Sequence, residues 1–323
     1  MPTTPARTPI GRNRALRLAG FVVGVAALVA AIIAVRGNLG PLRETVEKGI
    51  DASVWVPLLA LPLVSLLLTA KVFQLLTNAR LGAGRRLSFG EMLELIGASW
   101  LLNFLPLSPG LFGRVAYQKS RHGIPLKDSA AVVVESIVLS WLAVAVVVPM
   151  AFVSGSVVYL LCAVLVLAGI VCVVAVQRFG LHSIGAARAF TFFLKLLDQA
   201  CWAGRYYVVF RALGWHPTAA EACLIAAVAQ VAMLVPFIGN GLGIREWVVG
   251  LVAVGLPGWF RGSDGAGTTL SNTLSADLLN RAFEVVLAVP IGIWCLMRLR
   301  ARSGRGDLES PETDGNVKKV DPS

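Results

Sequence analysis

Four stretches of this chain, 18–35, 52–70, 136–153 and 157–176, run for 18 to 20 residues without a charged side chain. A helix needs about 20 such residues to cross the hydrocarbon core of a bilayer. Two further stretches, 189–210 and 270–297, have the same length scale but carry three charges each: Lys195, Asp198 and Arg205 in one, Asp277, Arg281 and Glu284 in the other. Repeated runs of this length predict a polytopic membrane protein. Composition agrees, with 56% apolar and only 15% charged residues. A soluble domain carries about 25% charged residues. A mean hydropathy of +0.74 excludes a disordered chain and argues against a soluble enzyme.

The formal net charge of +11 would point to nucleic acid in a soluble protein. In a membrane protein it marks basic cytoplasmic loops instead. Two apolar segments, 92–105 and 222–235, have 14 residues each, about 21 Å of helix, and are too short to cross. If both dip in and return, the segments on the side of the N-terminus hold nineteen Lys and Arg, against six on the other. That bias puts both termini in the cytoplasm.

The short segments also resemble each other. One reads Ser88-x-x-Glu91, an apolar run, Pro106, then Gly110-Leu111-x-x-Arg114. The other reads Thr218-x-x-Glu221, an apolar run, Pro236, then Gly241-Leu242-x-x-Arg245. Ser/Thr-x-x-Glu before an apolar run is a capping box, which starts a helix by satisfying free N–H groups. Proline and glycine then break that helix. The expected breaks are Pro106 and Gly110 in the first copy and Pro236, Gly239, Gly241 and Gly243 in the second. Three spans separate the copies, so they enter from opposite faces, as in transporters with inverted repeats. The predicted fold is all-α, with about six full transmembrane helices and two re-entrant helical hairpins related as an inverted repeat. Its parts are a basic cytoplasmic N-terminus at 1–17, a transmembrane domain at 18–299 with repeat copies near 52–153 and 189–297, and a disordered cytoplasmic tail at 300–323.

Catalytic and metal motifs are missing from the sequence. The five cysteines form no C-x-x-C pair, and His122, His182 and His216 are isolated. No zinc ligand set, P-loop, dinucleotide fingerprint or nucleophile elbow is present, so no metal, cofactor or catalytic residue is expected. The charged residues in apolar surroundings are the candidates for function. Arg114 and Arg245 each sit near the start of a half-helix, where free N–H groups and a guanidinium fork suit phosphate. Their alternative partners are carboxylates such as Glu135 and Glu246. Asp277, Arg281 and Glu284 fall at i, i+4 and i+7 on one helix face, with Asn280 beside them. Lys195, Asp198 and Arg205 stripe another helix. These stripes read either as a groove for a lipid headgroup or as ion pairs that hold the bundle together.

The stretch Asn103-Phe104-Leu105-Pro106-Leu107-Ser108-Pro109-Gly110-Leu111-Phe112-Gly113-Arg114, with Glu135 beyond it, resembles the first motif of the lysylphosphatidylglycerol synthetase transmembrane-region family. Pro236-Phe237-Ile238-Gly239-Asn240-Gly241-Leu242-Gly243-Ile244-Arg245-Glu246 resembles its second motif. Leu111 replaces an acidic residue of the family pattern, Ser136 replaces an arginine, and Lys71-Val72-Phe73 replaces an Arg-Trp pair. The resemblance implies a flippase-like domain in the bacterial inner membrane. The expected partner is a membrane lipid, either an anionic phospholipid or a lipid-linked sugar, and not nucleic acid. Without the soluble aminoacyl-transfer domain, the chain is not expected to make lysyl-lipid. The alternatives are a membrane-embedded transferase on lipid or polyprenyl-phosphate, and an accessory subunit of a cell-envelope glycosyltransferase.

Overall fold

The structure, a computed structural model, describes residues 52–81, 86–105, 109–150, 184–233, 243–255 and 269–306, with Gly241 and a few positions between 22 and 33. These residues form helices α1 (Ala52–Leu81), α2 (Phe89–Leu102), α3 (Pro109–His122), α4 (Leu126–Met150), α5 (Ile184–Ala212), α6 (Ala219–Met233), α7 (Ile244–Gly255) and α8 (Leu270–Gly306). No strand occurs among the described residues. The expected spans at 18–35 and 157–176 lie outside them, apart from those few helical positions in the first. Pro106, Pro236, Gly239 and the tail beyond 306 also lie outside.

Three helices are long and apolar enough to cross a membrane: Ser53–Leu81, Leu126–Pro149 and Leu270–Arg302. Helix α5 has similar length, at 29 residues, but its charges set it apart from these three. Helices α2 and α6, with 14 and 15 residues, are shorter than a bilayer core. The distribution of polarity is inverted relative to a soluble protein. Val138, Trp141 and Leu142 on α4 and Val286, Ile293, Trp294 and Met297 on α8 are exposed. Arg205, Arg245, Glu246, Asp277, Asn280 and Glu284 are buried. Such a surface is stable where the solvent is lipid.

Both predicted capping boxes start helices. Thr218 and Glu221 cap reciprocally: the Glu221 N–H donates to Thr218 Oγ1 at 3.2 Å and the Thr218 N–H donates to Glu221 Oε2 at 2.6 Å. At α2 the Glu91 N–H donates to Ser88 Oγ at 3.2 Å. The Glu91 carboxylate is turned elsewhere, accepting from the Tyr117 hydroxyl at 3.2 Å and meeting His122 Nε2 at 2.8 Å. Those contacts tie the start of α2 to the end of α3.

Helix α2 lies along α8 because glycine faces each contact. A Cβ on Gly97 would come within 2.6 Å of Cys295 Sγ, and one on Gly292 would strike the Leu101 side chain. Small residues let membrane helices approach closely enough for dispersion to hold them. Helix α8 continues to Gly306, past the boundary at 300 predicted for a disordered tail. Its extension is anchored by Arg302, which donates to Glu94 Oε1 at 3.0 Å and lies 2.9 Å from Oε2 as an ion pair. Gly241 and Gly243 adopt φ of +67° and +79° in the turn that leads into α7. A side chain would be strained in that region.

Candidate functional site

Two polar features occupy the interior. The first is a cavity of about 370 Å³ walled by α1, α2, α3, α4, α5 and α6, with Glu284 of α8 also on its wall. Apolar side chains such as Leu66, Ile137 and Val144 alternate there with Ser65, Ser99, Asn103, Ser136 and Gln230. Its charged lining residues are Arg114, Lys195, Asp198, Arg205 and Glu284.

Helix α3 carries Arg114 on its buried face, one and a half turns in from Pro109, and leaves it only 7% exposed. Its guanidinium stacks on the Phe73 ring, with Cζ 3.8 Å from the centroid. Phe73, from α1, supplies that aromatic face. Among the described residues, Arg114 has no carboxylate partner, whereas Lys195 has Asp198 near it on the same helix as a counter-charge. Asp198 accepts a hydrogen bond from the Ser65 hydroxyl. Asn103 Oδ1 and Gln230 Nε2 are buried on the wall with no partner. A cation–π contact contributes about 2 kcal/mol when desolvated. It leaves the donors at the guanidinium edge unused.

The second feature is a closed network of charges between α5, α7 and α8. Arg245, fully buried, donates to Asp277 Oδ2 at 3.0 Å and to Glu284 Oε2 at 3.2 Å. Arg205 pairs with the other Glu284 oxygen and donates to Asn280 Oδ1 at 2.8 Å. Arg281 donates to Glu246 Oε1 at 2.5 Å. The Tyr206 hydroxyl completes the Asp277 shell at 2.6 Å. Three guanidiniums thus face three carboxylates, and burial is tolerable because each charge is compensated.

The structure separates residues that look alike in the sequence. Arg114, Asp198 and Glu284 reach the cavity. Arg245, Glu246, Asp277 and Arg281 belong to the network. The carboxylates expected to pair with the hairpin arginines have other partners. Glu135 bridges Arg80, at 2.6 Å, and Arg188, linking α1, α4 and α5 away from the cavity. Glu246 pairs with Arg281, so the adjacent Arg245 reaches across to α8 instead. Sequence reasoning missed Ser65, Tyr206 and Gln230. Their only signal was a lone polar group in an apolar helix.

Taken together, cavity and network hold five cations, Arg114, Lys195, Arg205, Arg245 and Arg281, against four carboxylates, Asp198, Glu246, Asp277 and Glu284. The formal surplus is one positive charge, and the cation without an acid, Arg114, lies on the cavity side. Among the described residues, no group of His, Cys, Asp and Glu could hold a metal ion. No family model matches the chain, and comparison with curated proteins finds no match.

Proposed function

We propose that this chain is a multi-pass protein of the bacterial inner membrane that binds and translocates a lipid with an anionic headgroup, whose phosphate meets Arg114 in the polar cavity. One observation carries the reading. Arg114 is buried beside a cavity, within a lipid-facing bundle, with no acidic partner. An arginine at membrane depth costs at least about 2.5 kcal/mol and needs a counter-charge. A phosphate offers one with bidentate geometry. The surplus of one positive charge favours a phosphodiester monoanion. Lys195 stands beside the same space as a second, point-like cation.

This reading includes six full spans, two re-entrant hairpins formed by α2 with α3 and α6 with α7, and both termini in the cytoplasm. It also includes membership of the flippase-like family that the two motifs resemble. In it, Arg245 belongs to the framework of the second hairpin, and the headgroup site falls on the first.

Two measurements on one preparation test it. Native mass spectrometry of the detergent-purified protein should find a co-purifying phospholipid or lipid-linked sugar. Reconstituted protein should move labelled phosphatidylglycerol between leaflets of liposomes. Arg114→Ala should abolish both with little change in thermal stability. Arg114→Lys should restore part of the transport, because ammonium lacks the planar fork. Full transport by Arg114→Ala would refute the site. A chemically altered lipid without translocation would favour the transferase.

A further inference from the structure

We propose that a second, apolar slot between α2, α3 and α8 holds an acyl chain of the lipid whose headgroup occupies the polar cavity, with Arg114 at the junction of the two. The inference rests on the headgroup reading and extends it from an anion to an amphiphile.

The slot has a volume of about 290 Å³. Leu95, Ala98 and Leu102 of α2, Gly113 of α3, and Leu296 and Leu299 of α8 form its apolar wall. Its charged lining residues, Arg114 and Arg300, are both cations, and no carboxylate lines it. Ser99 and Arg114 line both spaces, so the slot and the polar cavity meet there. The Ser99 hydroxyl donates to the Gly110 carbonyl at 2.9 Å, which fixes α2 against α3 at that junction.

This arrangement matches the layout of a phospholipid. One end of the combined space is polar and carries Lys195 and Asp198. The middle carries a guanidinium with free donors. The other end is apolar and receives chain methylenes by close packing rather than by transfer from water. A soluble anion would satisfy Arg114 equally well but leave the slot without an occupant.

Glycine at position 113 gives the means to test the assignment. A Cβ there meets no atom within 4 Å, and the residue lines the slot, so a side chain can be added at its wall without a clash at Cβ. Gly113→Leu should therefore fold, insert and occupy the space of the chain. The probes are dioleoylphosphatidylglycerol and its deacylated counterpart, glycerophosphoglycerol. Gly113→Leu should weaken the first by about tenfold, because the added side chain excludes part of the acyl chain from a fitted pocket. It should leave the second within about twofold of wild type, and Gly113→Ala should behave as wild type toward both. Unchanged affinity of Gly113→Leu for the dioleoyl lipid would overturn the proposal, as would equal loss of both probes. Arg114→Ala that binds both probes normally would instead refute the underlying headgroup site.

A measurement on the unaltered protein covers the case in which Gly113→Leu does not fold. Phosphatidylglycerol with a diazirine in mid-chain should crosslink to Leu102, Gly113 or Leu296. Crosslinks confined to the outward residues Val286 and Trp294 would also overturn the slot.

Discussion

Arg114 and Arg245 occupy matching positions in two similar motifs, yet their surroundings give them opposite tasks. Arg245 has two carboxylates within 3.2 Å and no exposed surface. Arg114 has an aromatic face and an open cavity. Removing one partner of a buried pair leaves the other charge uncompensated and costs about 3–5 kcal/mol. Arg245→Ala should thus lower the thermal unfolding temperature strongly, in step with any loss of transport. Pairing Arg245→Met with Asp277→Asn should recover much of that stability, since Glu284 keeps Arg205. Arg114→Ala should differ in kind, losing lipid binding while unfolding near the wild-type temperature. If the double variant is no more stable than Arg245→Ala, the pairing does not hold Arg245 in place.

At the scale of elements, the contact of α2 with α8 decides whether the cavity and slot have a common wall. Gly292 faces Leu101 so closely that no Cβ fits. Gly292→Val should push the helices apart at a cost of about 1–3 kcal/mol, read as a lower unfolding temperature in detergent. Gly90, in the first turn of α2, meets nothing within 4 Å where a Cβ would stand. Gly90→Ala should stabilise the helix by about 0.5–1 kcal/mol, the difference in backbone freedom. Opposite signs at two glycines 202 residues apart in the chain, but on adjoining helices, would separate close packing from helix propensity. Equal effects would mean that α2 does not rest on α8 as described.

The whole molecule is organised by charge as much as by apolar burial. Glu135 ties α1, α4 and α5 together, Glu94 holds the extension of α8, and the Arg–carboxylate network joins α5, α7 and α8. These ties leave the cavity as the place where cation and acid do not balance. The orientation of the molecule rests on the basic loops, including the end of α3, where Arg121 is exposed. If both termini lie in the cytoplasm, as proposed, a cysteine at position 121 should react with an impermeant reagent only when the cytoplasmic face is opened. Reaction from the outside of sealed cells would mean that α2 crosses the membrane fully, and the dipping hairpin would have to be abandoned.

Periodicity and chain composition alone determined that the protein is helical, that its outer surface is apolar, and where α2, α6 and α8 begin. Those features are local: run length, capping residues and glycine act within a few positions of one another. The extents of α1 and α8 were underestimated, because charged residues such as Lys71 and Arg302 continue a helix once they find Gln74 and Glu94. The charged stripes on α5 and α8 were legible as stripes, but their meaning was open between groove and ion pairs. Tertiary structure placed some of these residues at a cavity and joined others in ion pairs. It brought Arg205 and Arg245 onto one carboxylate 79 and 39 residues away along the chain, and left Arg114 facing empty space. Pairing of buried charges depends on which side chains converge across helices, and no spacing within a single helix encodes that.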